Sequence, residues 1–191
     1  MPDYPESDES LLQAAGSGNM EAFAELVRRH QDWAWQIAYR FFGRKEQAAD
    51  VVQDAFIRLL RASPRYRATA KFRTYFHRII TRLCLDQAKK KRLPELDTRP
   101  DIVDSAPDAA AELMRRETAA AVGNALDALA PNQRMAIVLR YYEGLDYREI
   151  ADALETTPKA AERLLARGRK RLRIMLKTDK TILRTKDKNS G

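Results

Sequence analysis

Gly144-Leu145-Asp146-Tyr147-Arg148-Glu149-Ile150-Ala151-Asp152-Ala153-Leu154, then Glu155-Thr156-Thr157, then Pro158-Lys159-Ala160-Ala161-Glu162-Arg163-Leu164-Leu165-Ala166-Arg167-Gly168-Arg169-Lys170-Arg171-Leu172 is the stretch on which the fold turns. Asp146 can accept the backbone N–H of Glu149, and the Glu149 carboxylate can return the bond, an acidic variant of the capping box that opens a short helix. Three residues then turn the chain, with Thr157 suited to the N-cap and Pro158 to the first helical position, where a missing N–H costs nothing. The second helix is expected to run to about Met175. Ile150, Leu154, Ala161, Leu165 and Leu172 supply a shared core, and small Ala151 lets the helices cross closely. This is the layout of a helix-turn-helix. Its second helix turns Lys159, Arg163, Arg167, Lys170 and Arg171 outward, flanked by Glu162 and Arg169. In a major groove the early residues reach base edges and the later Arg/Lys run reaches phosphates. A basic, solvated helix closing an ordinary bundle would show the same pattern.

The helical period extends outward from this stretch. Phe23, Leu26, Val27, His30, Ala34, Ile37, Ala38 and Phe41 form one stripe; Ala48, Val51, Val52, Ala55, Phe56, Leu59 and Leu60 form a second. Phe72, Tyr75, Phe76, Ile79, Ile80 and Leu83 form a third. Val122, Ala125, Leu126 and Leu129 give a fourth, and Met135, Val138, Leu139 and Tyr142 a fifth, with Pro131 suited to a first turn. No stretch alternates in the manner of a strand. The expected fold is all-α: two small helical domains, the second carrying the helix-turn-helix.

Charge divides the chain in the same way. The 191 residues carry a net +8. Residues 20–92 hold 17 bases against 7 acids, residues 131–177 hold 11 against 6, and residues 93–112 between them hold one base and six acids. That acidic stretch contains Pro94, Pro100 and Pro107, which break helices, while like charges extend a chain. The reading is a domain over 8–92, a flexible linker over 93–111, a domain over 112–177 and a frayed polar tail over 178–191. Fully stretched, the linker spans about 60 Å, so the two domains can act at separate points on one partner.

One Cys and two His exclude a disulfide framework and a Cys/His zinc site. With no membrane-length apolar run and an acidic N-terminus unlike a signal peptide, a soluble cytoplasmic protein is expected, without direct membrane insertion. No Gly-rich phosphate loop, nucleophile elbow or metal-spaced cluster is present, so neither catalysis, metal nor cofactor is expected. Asp50, Gln53, Asp54 and Ile57 share a second face of the 48–61 helix, where acids, an amide and an apolar side chain suit a docking surface, although charge stripes are usually solvated faces. The segment 72–82 interleaves aromatics with Arg73, Arg78 and Arg82 and leads to Lys89, Lys90, Lys91 and Arg92. Aromatic faces stack on splayed bases while cations track phosphates, which suits single-stranded nucleic acid. Tyr75 and Phe76 also match the core stripe, and packing outweighs stacking there. His77 reads as a polar or partly buried surface residue and Cys84 as a small core residue.

These residues carry a resemblance to the extracytoplasmic-function (ECF, group 4) sigma factors of bacterial RNA polymerase. Ala22–Arg92 looks like sigma region 2, and Asp50-Val51-Val52-Gln53-Asp54-Ala55-Phe56 is similar to its most characteristic motif. Leu126-Asp127-Ala128-Leu129-Ala130-Pro131-Asn132-Gln133-Arg134, through Tyr147-Arg148-Glu149-Ile150-Ala151 to Leu172, looks like region 4. The resemblance implies that Asp50, Gln53, Asp54 and Ile57 dock on the clamp coiled coil of core RNA polymerase, with the flap as a further contact. It implies that Arg65, Lys71, Arg73, Tyr75, Arg78, Arg82, Lys89, Lys90 and Arg92 capture the melted non-template strand of the −10 element. Thr157, Lys159, Arg163, Arg167, Lys170 and Arg171 would read the −35 duplex, and the acidic linker would thread the basic channels of the polymerase. It also implies control by an anti-sigma factor, commonly membrane-anchored, that covers the docking faces.

Four positions depart from the family pattern. Glu155 stands where Gly is usual in the turn, and a non-Gly residue at positive φ is strained. Leu164 stands at a position commonly Arg, with Arg163 one place earlier, which re-aims the −35 contacts. Arg82 replaces a usual Asn and Tyr75 a usual Trp, which bears on −10 preference. Two other readings fit the composition: a stand-alone helix-turn-helix regulator that binds duplex without polymerase, and an adaptor whose basic helices bind acidic proteins.

Overall fold

Gly16 shows how closely the first helices approach. A Cβ there would lie 2.4 Å from the Ser63 carbonyl oxygen, so only glycine lets α1 (Asp8–Gly16) meet the 3-10 turn Ser63–Arg65. The computed structural model describes residues 7–68, 71–90 and 120–188, with side chains as far as Lys177. The linker expected over 93–111 lies outside the described residues.

Three longer helices follow α1: α2 (Met20–Phe42), α3 (Lys45–Ala62) and α4 (Phe72–Lys90). Asn19 caps α2 by accepting the Ala22 N–H at 3.0 Å. Gly43 ends it in the left-handed region at φ +69°, where glycine pays no Cβ penalty. The stripes read from the sequence are the buried faces. Leu26, Ile37, Phe41, Leu59, Phe76 and Ile80 are each fully buried, and each large apolar side chain contributes about 1.5–3 kcal/mol on leaving water. Phe76 sits at the centre, with ring centroids 4.9 Å from Phe56, 5.5 Å from Phe72 and 5.8 Å from Trp33.

The C-terminal unit comprises helical residues 120–127 (α5), α6 (Pro131–Tyr141), α7 (Tyr147–Ala153) and α8 (Pro158–Lys188). Met135, Val138 and Leu139 are buried on α6. Tyr142, expected in that stripe, is instead 46% exposed. Helix α6 stops at Tyr141, and the Tyr142 ring lies 4.6 Å from the Arg40 guanidinium of α2.

The helix-turn-helix forms as read. Asp146 accepts the N–H groups of Arg148 and Glu149 at 2.8 and 2.9 Å, and the Glu149 carboxylate accepts the Asp146 N–H at 2.9 Å. Thr157 Oγ1 accepts the Ala160 N–H at 3.2 Å, capping α8. Glu155 sits at φ +50°, so the turn keeps the backbone that glycine would adopt. The Thr156 N–H closes it on the Ala151 carbonyl at 2.8 Å. Gly168 lets α8 press on α6, since a Cβ there would lie 3.1 Å from Ile137 Cγ1. Helix α8 does not stop near Met175: its backbone stays helical to Lys188, through most of the expected frayed tail. Residues 176–188 contain neither Gly nor Pro, and Leu, Lys and Arg propagate a helix well.

Candidate nucleic-acid interface

On α3, Asp50, Gln53, Asp54 and Ile57 are all exposed, while the intervening Val51, Val52, Ala55 and Phe56 are buried. The 3–4 residue spacing therefore separates an outer stripe from a core stripe on one helix. Beside the outer stripe, α2 and α3 leave a groove of about 470 Å³ lined by Phe23, Val27, Trp35, Phe56 and Ile57, among others. Gln53 and Asp32 lie at its lining too, so the groove is apolar within and polar at places along its wall.

Helix α4 is held at its N-terminus by α1: the Phe72 N–H donates to Glu9 Oε1 at 2.6 Å. Arg65 and Lys71 are exposed near this end. Tyr75 is half-buried, its ring 5.4 Å from Tyr66, and Phe76 is wholly buried, in keeping with packing roles. Arg73, Arg78 and Arg82 lie at different angles around α4, all three exposed, and each reaches the C-terminal unit. The Arg73 guanidinium lies 4.7 Å from the Trp33 ring and 4.0 Å from the Glu143 carboxylate. Arg78 Nε donates to the Asp152 carbonyl at 3.3 Å, and Arg82 lies 3.8 Å from Glu155. Lys89, 3.6 Å from Asp86, and Lys90 are exposed; Arg92 lies outside the described residues.

Between the two units sits Glu143, from the turn joining α6 and α7. Its side chain is 5% exposed. It accepts the Trp33 Nε1–H at 2.6 Å and an Arg40 N–H at 3.2 Å. His77 Nε2 stands 3.7 Å away, too far for a hydrogen bond, and His77 is buried rather than at the surface. Burial alone would push the Glu143 carboxyl up; the His77 ring, the Trp33 N–H and the Arg40 charge outweigh it and hold the group below its ordinary value. Arg134 makes a second tie, donating to the Phe41 carbonyl at 2.9 Å and pairing with Asp127 at 3.0 Å. Trp33, Arg40, Arg134 and Glu143 were not singled out in the sequence. Their only signal there is an acid, Glu143, following two tyrosines within a basic block.

On α8, Lys159, Arg163, Arg167, Lys170 and Arg171 are all exposed. Thr157 is exposed as well, with its hydroxyl engaged in the cap. Leu164 is half-buried and packs on the core, which fits an apolar residue at that position. Among the described residues no cluster of three or more His, Cys, Asp or Glu side chains could hold a metal ion, and no helix is long and apolar enough to cross a membrane. Cys84 is fully buried, and burial pushes its thiol up, away from the reactive thiolate.

Residues 26–93 match the family model described as Sigma-70 region 2, and residues 119–172 match that described as Sigma-70, region 4. The chain is 31% identical over 173 residues to the ECF RNA polymerase sigma factor SigM of Mycobacterium tuberculosis, covering 91% of this chain and 86% of SigM. It is 34% identical over 158 residues to the ECF RNA polymerase sigma factor SigE of Mycolicibacterium smegmatis, covering 81% of this chain but only 61% of SigE. The solved structure of CnrH in complex with the cytosolic domain of CnrY superposes with a TM-score of 0.67 at 28% identity, over 90% of this chain and 98% of that one. Sigma factors are DNA-binding transcription initiation factors rather than enzymes as a class. With both region models matched in chain order and SigM related over nearly its whole length, the chain belongs to the sigma-70 family of RNA polymerase sigma factors, within its ECF group.

Proposed function

We propose that this chain directs core RNA polymerase to specific promoters through three surfaces. The outer stripe of α3 (Asp50, Gln53, Asp54 and Ile57), with its neighbouring groove, docks on the clamp coiled coil. The α4 face, with Arg65, Lys71, Arg73, Tyr75, Arg78, Arg82, Lys89, Lys90 and Arg92, takes the melted −10 strand. Helix α8 reads the −35 duplex through Thr157, Lys159, Arg163, Arg167, Lys170 and Arg171, with the flap supporting the C-terminal unit. The observation that carries this reading is the exposed cationic row of α8, at 3–4 residue spacing on a capped recognition helix, in a chain whose other unit matches sigma region 2 and exposes further cations along α4.

No covalent step is involved, and the protein is not an enzyme. Melting is driven by captured bases and polymerase contacts. The place of action is the cytoplasm, with the polymerase. CnrH was solved with a bound protein segment, the cytosolic domain of CnrY; by likeness, an anti-sigma factor covers the docking surfaces of this chain and can hold it at the membrane face. The domain boundaries 8–92, 93–111, 112–177 and 178–191 belong to the same reading.

Run-off transcription with purified core enzyme tests it. Promoter-specific product is expected only when core and this protein are both present; tight, specific duplex binding by the protein without any effect on core would favour a stand-alone regulator. Asp54→Arg places a cation on the exposed docking stripe, and core affinity is expected to fall on the order of tenfold to a hundredfold. Unchanged affinity by titration of labelled protein would remove α3 as the docking surface.

A further inference from the structure

Helix α1 lies ahead of residues 26–93, the stretch that matches sigma region 2, and both ends of the α3–α4 connection rest on it. At the first end Gly16 meets the Ser63 backbone so closely that no side chain fits between them, and Ser63 is buried there. At the second end Lys71 precedes α4, its carbonyl accepting the Tyr75 N–H at 3.2 Å, but a lysine side chain has no atom that can cap the helix. Helix α4 has no acid in its first turn either. Its orphan Phe72 N–H is met from α1 instead, by Glu9 Oε1 at 2.6 Å, and a carboxylate there suits the positive end of the helix dipole. Asp8 holds the same corner through α2: its carboxylate lies 2.8 Å from His30 Nε2, and the His30 ring lies 4.7 Å from that of Phe72. Between the two ends Tyr66 is buried, and burial, then the Glu9 charge, push its phenol above the ordinary value. Arg65, Arg67 and Lys71 are exposed on this stretch.

We propose that Glu9 is a positioning residue for strand capture: by holding the Phe72 N–H it fixes the direction in which Arg65, Arg67 and Lys71 meet the separated DNA strand. The proposal rests on the assignment of α4 and the residues before it to the −10 strand, made above. Glu9 itself meets no DNA. Backbone that is held before binding does not have to be ordered during it, so affinity rises without a new contact. The effect falls on base preference more than on general attraction. Cations draw in any strand through its phosphates, whereas telling one base from another needs groups held in a fixed direction.

The test uses holoenzyme assembled from the full chain and core RNA polymerase. The strand that the parent enriches most from a random single-stranded pool of about 12 nucleotides is the specific probe, and the unselected pool is the non-specific one. Glu9→Gln keeps an accepting oxygen at the same reach, Glu9→Asp keeps the charge but is one methylene too short, and Glu9→Ala removes both. Glu9→Asp and Glu9→Ala are expected to lower affinity for the enriched strand about tenfold, the scale of one lost charge-assisted hydrogen bond. Affinity for the unselected pool and for core should stay within about twofold, and Glu9→Gln should bind the enriched strand within about threefold of the parent. Equal losses on both probes, in step with a lower thermal midpoint, would reduce Glu9 to a structural role and overturn the proposal. So would an unchanged preference in both Glu9→Asp and Glu9→Ala. Lys71→Ala separates the proposal from the reading beneath it. If the parent enriches no strand, or Lys71→Ala binds the enriched strand as the parent does, the −10 assignment fails and the role of Glu9 falls with it. If Lys71→Ala weakens strand binding and the Glu9 variants do not, only the role of Glu9 falls.

Discussion

The faces of α4 and α8 carry similar charge and lie in different surroundings. On α8 five cations project from a helix whose inner side packs on α6 and α7, and all five are exposed among the described residues. On α4, Arg73, Arg78 and Arg82 are exposed too, but each reaches an acceptor of the second unit: a carboxylate, a backbone carbonyl and a turn acid. Charge count alone would rank the two faces alike. What separates them is whether a cation's counter-charge comes from within the molecule or must come from DNA. A cation already paired has to exchange one partner for another, and its net gain from a phosphate is correspondingly smaller. An unpaired exposed cation gains the whole electrostatic term, including counterion release.

The largest effect that can break the comparison is Phe76→Ala. It removes the ring on which Phe56, Phe72 and Trp33 rest, and should cost about 3–5 kcal/mol of N-terminal stability. Thermal unfolding followed by tryptophan fluorescence should show the loss, since Trp33 and Trp35 both lie in that unit. Duplex binding by α8 should persist below the new transition. If it is lost in parallel, the two faces are not independent.

Next in size is Arg167→Ala on the open face. It should weaken −35 duplex binding by about 1–3 kcal/mol if the side chain bonds a base edge, with single-strand affinity unchanged. A loss equal on every duplex sequence, seen in a competition series, would make Arg167 a phosphate contact. The smallest change expected is Glu155→Gly. It relieves a left-handed residue and should stabilise the C-terminal unit by about 0.5–1 kcal/mol, read as a higher midpoint in urea. The exposed pair with Arg82, at 3.8 Å, is worth little in water, so its loss should not reverse the sign. A lower midpoint would show that the turn depends on the Glu155 side chain rather than tolerating it.

The helix-turn-helix was legible in the sequence because its signals are local. The reciprocal bonds of Asp146 and Glu149, the cap by Thr157 and the placement of Pro158 all act within four residues. The outer stripe of α3 was legible for the same reason: once Val51, Val52, Ala55 and Phe56 are inward, the 3.6-residue period leaves Asp50, Gln53, Asp54 and Ile57 outward. Tyr142 fails this logic because it follows the last turn of α6, where the period no longer fixes direction. The stop expected for α8 near Met175 failed because polarity was read as fraying, although nothing in 176–188 breaks a helix.

The sequence by itself therefore determined the helices after α1, their inward faces, the caps of the helix-turn-helix and the cationic row of α8, since each depends on residues three or four places apart. Only the tertiary structure decided that Glu143 meets Trp33 and Arg40, residues 110 and 103 positions away, and that His77 is buried beside them. No periodicity encodes such a meeting. It arises when side chains far apart in the chain find a common place for one buried carboxylate.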